Sequence, residues 1–326
     1  MDDIVYNIYI IVHNGERCRV DRSTYWKINA MALEPEAQEK TIEYLTEHLR
    51  HFFRKQERVM ICFLEHKEGN ISWLMEQAVC RCEAVPILWG PDRRWKTLLQ
   101  QAFFSKATAI IGPPLILLGL SKLKRQSGTP LYIRRCITAA YPCLDWMIDG
   151  IVRGYDCELG GCISMGESGI VAGFACGHSW GVHLREEAYG VDIVDEEGNL
   201  LPEGTVGEMV LYPKAAPQLR YLTGENARLL TQKCACGSSA PRLLELQPGK
   251  NEDQDLEAFR QYLQSWTSVL DCRVERGENG LEIEIICFAG EKLPKLPPAA
   301  MRIVRPWNPK NDEPFWYSPT LKNAEK

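Results

Sequence analysis

Ala107-Thr-Ala-Ile-Ile-Gly-Pro-Pro-Leu-Ile-Leu-Leu-Gly-Leu120 is the longest apolar run in the chain, and the Gly112-Pro113-Pro114 break inside it decides how it is read. The run is too short and too interrupted to span a bilayer. It divides instead into a strand, Ala107–Ile111, and a helix, Leu115–Lys124. Working outward, the same alternation continues on both sides. Downstream come a strand, Leu131–Thr138, and a helix, Leu144–Val152. Upstream come a helix from Asp92 to Ser105, a strand from Ala84 to Trp89 ended by Gly90-Pro91, a helix from Ile71 to Cys82 and a strand from Val59 to Leu64. A helix near Pro35 places Ile42, Leu45, Leu49 and Phe52 along one side, with Pro35 suited to its first turn. Ile4–Val12 reads as a first strand followed by a polar loop, His13–Arg22. Short continuous apolar strands alternating with helices predict an α/β fold with a mainly parallel sheet covered on both faces. Such sheets bind ligands beyond the carboxyl ends of their strands.

After Gly154 the texture changes. Gly160-Gly161 and Ser164-Met-Gly-Glu-Ser-Gly169 predict loop and short strand near the edge of the sheet. Tyr189–Val194 and Gly207–Tyr212 read as a hairpin, and Leu219–Leu222 and Arg228–Leu230 as two further short strands. Beyond Leu246 an acidic stretch of linker composition leads to a helix, Leu256–Leu263, and strands Val269–Val274 and Leu281–Phe288. The last forty or so residues are Pro-rich and read as irregular. The expected organisation is a body over 1–246, divided into an α/β part (1–154) and a β-rich part (155–246), then a small α+β C-terminal domain over 247–326.

Composition limits the partners. A net charge of -5 gives no general attraction to phosphate backbones or anionic membranes, which argues against a nucleic-acid binder. The N-terminus lacks the basic flank of a signal peptide. Thirteen cysteines without such a signal fit a reducing, cytoplasmic setting rather than a disulfide framework.

Three of those cysteines and one histidine fall in two clusters. Cys176 stands seven residues before His183, and Cys234 and Cys236 form a Cys-x-Cys-Gly turn with Gly237. Three thiolates and an imidazole are a complete tetrahedral zinc set, and the glycine lets the turn fold tightly enough for both sulfurs to face one ion. Spacing alone leaves His178 as a rival to His183, and buried core thiols are the competing explanation. Cys80, Cys82, Cys157 and Cys162 read as core or helix-surface thiols.

Three stretches carry a family resemblance: Gly181-Val-His-Leu-Arg-Glu-Glu, the run Val191–Val210, and Leu219-Arg-Tyr-Leu-Thr-Gly-Glu225. Together they resemble the phenylacetate-coenzyme A ligase family of AMP-forming adenylating enzymes, over about residues 84–290. The resemblance implies a zinc site of Cys176, His183, Cys234 and Cys236. It implies that a small carboxylic acid attacks ATP to give an acyl-adenylate, from which the coenzyme A thiol displaces AMP. Glu167 matches a glutamate that helps hold magnesium, Glu225 stands where the family has a ribose-binding aspartate, and Arg228 matches an arginine near the nucleotide. Tyr141 falls where the family holds adenine. Read from residue type alone, Glu167 is equally a solvated loop carboxylate, Arg228 a solvated strand charge and Tyr141 a core aromatic. The chain departs from the family where phosphate is bound: Asn14-Gly-Glu-Arg-Cys-Arg-Val-Asp-Arg-Ser23 has one glycine and two acids. The aromatic of the glutamate motif is replaced in Ile163-Ser-Met-Gly-Glu167, the interdomain hinge is reduced to Gly249-Lys250, and Lys322 is the nearest counterpart of the adenylation lysine. Two function classes follow: a divergent ligase, or a non-catalytic descendant that binds a small molecule, a protein partner or a second copy of itself.

Overall fold

The computed structural model describes residues 33–314, apart from positions 64, 91, 141–142, 166–168, 178–180, 218–219, 249–253, 278–279, 290, 293–300, 311 and 313. The expected strand Ile4–Val12, the loop after it and Lys322 lie outside the described residues.

The first helix, α1 (Pro35–Phe52), begins with proline at its first turn and buries Ile42, Leu45 and Leu49, spaced to share one face. Next come β1 (Arg58–Ile61), α2 (Ile71–Arg81), β2 (Val85–Leu88), α3 (Trp95–Phe104), β3 (Ala109–Gly112), α4 (Pro114–Ser127), β4 (Arg135–Thr138) and α5 (Asp145–Tyr155). These strands pair in parallel in the order β2-β1-β3-β4. Pro86, which has no N–H to give a ladder, sits on edge strand β2. Successive strand residues serve opposite faces: Met60, Ile110 and Cys136 pack with α3, α4 and α5, while Ile61, Ile111 and Ile137 pack with α1 and α2. That two-sided burial is why each strand reads as a continuous apolar run.

The sheet does not end at β4. The remaining strands are β5 (Glu158–Met165), β6 (Ile170–Phe174), β7 (Val182–Leu184), β8 (Tyr189–Val194), β9 (Val206–Pro213), β10 (Tyr221–Leu230) and β11 (Arg242–Pro248). They extend it to eleven strands in the order β2-β1-β3-β4-β5-β6-β7-β11-β10-β9-β8. β5 is parallel to β4 and antiparallel to β6, so it is where the sheet changes character. The Gly-rich segment is therefore central rather than near the edge, because its glycines permit close contact. A Cβ on Gly161 would lie 3.0 Å from Thr138 Oγ1, and one on Gly173 only 2.3 Å from the His183 carbonyl oxygen. Tyr221 and Leu222 of the first expected strand and Arg228–Leu230 likewise belong to one strand, β10, interrupted by a register shift between Leu222 and Asn226; Leu219 lies outside the described residues. Gly224, at φ +70°, lets the chain kink there without leaving the sheet.

The C-terminal part comprises α6 (Gln254–Ser265), β12 (Val269–Gly277), β13 (Gly280–Cys287) and β14 (Met301–Pro306), whose strands form a separate three-stranded sheet. β14 corrects the expectation of an irregular tail: it pairs in parallel with β13 although prolines surround it. Leu270, Ile286 and Phe288 share a core with α3, α4 and α5, and the buried Lys122 of α4 donates to the carbonyls of Gln264 (2.5 Å) and Val269 (2.8 Å). Among the described residues, no helix is long and apolar enough to cross a membrane.

Candidate functional site

The four thiol and imidazole donors come from three places in the antiparallel half. Cys176 follows β6, His183 is the middle residue of β7, and Cys234 and Cys236 lie in the connection between β10 and β11. Their ligand atoms all lie within 4.8 Å of one another. Cys176 Sγ is 3.7 Å from Cys234 Sγ, and Cys236 Sγ is 3.4 Å from His183 Nε2. A tetrahedral ion with zinc–sulfur bonds of about 2.3 Å sets its sulfurs about 3.8 Å apart, so the spacing fits zinc.

The surroundings orient these donors. His183 Nδ1 lies 3.0 Å from the Ala240 carbonyl, which fixes the tautomer with Nδ1 as donor and leaves the Nε2 lone pair facing the sulfurs. The Ser238 N–H donates to Cys236 Sγ at 3.5 Å. The turn is closed by Gly237 N–H to the Cys234 carbonyl (3.0 Å) and Cys234 N–H to the Ser238 carbonyl (2.9 Å), with Gly237 at φ +93°. The glycine requirement inferred from Cys-x-Cys-Gly is thus met by a backbone conformation that side-chain-bearing residues rarely adopt. The Ala240 carbonyl was not legible in the sequence, because every residue type offers a carbonyl. His178 lies outside the described residues. With four protein donors the set leaves no open position, which suits a structural rather than a catalytic ion.

The nucleotide positions are only partly described. Glu167 and Tyr141 lie outside the described residues. The segment 166–168 joins β5 to β6, so the whole of β6 separates it from Cys176. Gly169, which follows, packs onto the Gly69 carbonyl at the start of α2. Glu225 and Arg228 both stand on β10, where Glu225 is level with Pro248 at the end of β11. They are three residues apart and so project to opposite faces, Glu225 on the side of fully buried Ala227. Burial raises the Glu225 carboxyl to about 7. Thr223 Oγ1 accepts from the Glu225 N–H at 3.2 Å and donates to the Met209 carbonyl at 2.9 Å, which fixes the kink that presents this carboxyl.

No protein-family model and no curated protein matches the sequence. Solved structures do match by shape. The chain superposes on 2-hydroxyisobutyryl-CoA ligase in its postadenylation state with 2-HIB-AMP at a TM-score of 0.66 and 12% identity, over 97% of this chain and 73% of the ligase. For the same enzyme with R3-HIB-AMP the values are 0.62 and 12%, over 87% of this chain and 62% of the ligase. The anthranilate CoA ligase AuaEII with anthranoyl-AMP gives 0.53 and 16%, over 78% of this chain and 54% of that protein. This chain thus spans about three-fifths of the length of most of these ligases. At such identities the likeness speaks for the fold alone: the chain has the mixed α/β fold of the acyl-CoA ligases and adenylate-forming enzymes.

Proposed function

We propose that the protein is a divergent carboxylate-CoA ligase-like protein that holds an adenylate, with the antiparallel half of its sheet fastened by one structural zinc ion. The observation that carries this reading is the half-buried Glu225 on the Gly224 kink of β10, its carboxyl raised by desolvation. Ionised, it accepts from two adjacent hydroxyls at once, which is the chemistry a ribose demands. Glu167, in the connection between β5 and β6, supplies a hard oxygen ligand for magnesium beside the phosphates, Tyr141 a face for the adenine and Arg228 a nearby positive charge. Zinc, held by Cys176, His183, Cys234 and Cys236, contributes rigidity and takes no part in acyl transfer. The substrates are then ATP with magnesium, a small carboxylic acid and coenzyme A, in a cytoplasmic setting. The division into a body over 1–246 and a small domain over 247–326 belongs to the same reading.

The composition of Asn14–Ser23 favours a second reading, a non-catalytic binding module, since one glycine and two acids make a poor cradle for phosphates. Two measurements separate them. Exchange of labelled pyrophosphate into ATP across a panel of carboxylic acids is expected if the chain adenylates. Calorimetric binding of AMP without exchange supports the module, and absence of both removes the nucleotide reading altogether.

A further inference from the structure

Outside the site already described, two thiols meet at the other side of β5. Cys136 lies within β4, fully buried, and Cys157 lies in the short connection between α5 and β5, half-buried. Their sulfurs are 3.6 Å apart. β4 and β5 pair with Cys136 level with Leu159, so Cys157 is its diagonal neighbour, and all three side chains meet the same apolar core.

We infer that Cys136 and Cys157 form a peroxide-responsive dithiol, a reversible modification site in which Cys157 is the reacting thiol and Cys136 the resolving one. The division of labour follows from their surroundings. Cys157 is reached from solvent; its hydrogen bond with Cys136 holds its thiol below the usual range and Lys124 adds to that effect, against burial and the neighbouring Asp156 and Glu158 carboxylates. Cys136 is shut into the core, and burial pushes its thiol well above the usual range. The charged groups about Cys157 are Asp156 and Glu158 beside it in the chain and Lys124 from α4, whose ammonium donates to the Gly154 carbonyl at 3.0 Å. The Cys157 thiolate attacks a hydroperoxide oxygen, breaking the O–O bond and giving a sulfenic acid and hydroxide. Cys136 sulfur then attacks that sulfenic sulfur; the S–O bond breaks, its oxygen leaves as water with the Cys136 proton, and a disulfide remains. The peroxide takes up the two electrons. Closing the sulfurs to a bond of about 2.05 Å requires movement of roughly 1.6 Å. That movement falls to Cys157, which follows Asp156 in a left-handed turn and is not yet in the ladder.

The test uses the full, zinc-loaded chain treated with hydrogen peroxide, followed by differential alkylation and peptide mapping. The expected result is loss of both the Cys136 and Cys157 thiols as one cross-linked peptide pair, restored by dithiothreitol, before exposed Cys80 reacts appreciably. Cys80 is the internal reference, since burial and Glu76 both raise its thiol. Cys136→Ser should leave a sulfenic acid at Cys157 that dimedone traps, and Cys157→Ser should leave Cys136 unoxidised. The inference is overturned if Cys80 oxidises first, if Cys157 oxidises with no cross-link to Cys136 in the folded wild-type chain, or if Cys136 reacts equally without Cys157.

Discussion

Removing the metal should loosen the antiparallel half of the sheet by an amount that follows from linkage. Cys176, His183 and the Cys234–Cys236 turn come from separate segments that converge only in the folded chain, so an ion held by all four binds the folded state far better than the unfolded one. With free zinc at about 1,000 times its dissociation constant, such binding adds about 4.1 kcal/mol of stability. Unfolding entropy of about 2.1 cal/mol/K per residue over the 326 residues gives roughly 0.7 kcal/mol/K. The chelated protein should therefore melt roughly 6 °C below the zinc-loaded one. Elemental analysis should find about one zinc per chain, and calorimetry or fluorescence with and without a chelator measures the shift. Cys234→Ser should lower zinc content and reproduce most of the shift without chelator. A protein that contains no zinc as isolated, takes up none, and melts identically in all three states would show that the four donors meet only as packing neighbours.

Three other outcomes are expected. Gly173→Ala places a methyl 2.3 Å from the His183 carbonyl oxygen and must displace β7, costing about 1–3 kcal/mol and making zinc easier to strip, as denaturant titration and chelator competition would report. For Glu225, whose carboxyl is raised from 4.5 to about 7, the folded state keeps between those pH values a proton that the unfolded state has lost. Stability thus falls as pH rises through that window, by at most about 3 kcal/mol. Glu225→Gln should raise the melting temperature at pH 8 and leave it unchanged near pH 4. Lys122→Ala strips the Gln264 and Val269 carbonyls of their buried donor, at about 1–3 kcal/mol for each group left bare, and limited proteolysis should then attack residues 254–306 sooner. Unchanged digestion would show that apolar contacts alone fix that unit.

The parallel half was legible because each of its strands is buried on both faces and so writes an uninterrupted apolar run between helices, as Val59–Ile61 and Ala109–Ile111 do. The antiparallel half was less so. β7 is three residues long, too short for any alternation to register, and is a strand only because β6 and β11 flank it. β10 reads as two pieces because Thr223-Gly224-Glu225 carries turn chemistry that the sheet absorbs as a kink. β14 is hidden by its prolines, which end the strand rather than prevent it. The convergence of the four donors was legible for the opposite reason: sulfur donors and a glycine with positive φ are rare residue-type requirements, and both stand in the sequence. What orients His183 is a main-chain carbonyl, which no sequence pattern records.

The attachment of the C-terminal unit bears on what this fold is able to do. α4 leaves the carboxyl end of β3 at Pro114 and runs back along the sheet, and Lys122 stands past its midpoint. The contacts made there seat α6 and β12 on the helical layer, while past the carboxyl end of β2 the Trp95 N–H donates to the Asp312 carbonyl and the Arg94 guanidinium to the Lys310 carbonyl. Swinging this unit over the strand ends would break both Lys122 bonds and withdraw Leu270, Ile286 and Phe288 from the core they share with α4 and α5. Three such side chains are worth about 4–9 kcal/mol together. A ligand moves a two-state element only by its difference in affinity for the two states, so a nucleotide would need to favour the swung state by that amount, about a thousandfold or more. The described contacts therefore hold the C-terminal unit in place, and any function that needs it to swing must supply that energy from its own binding.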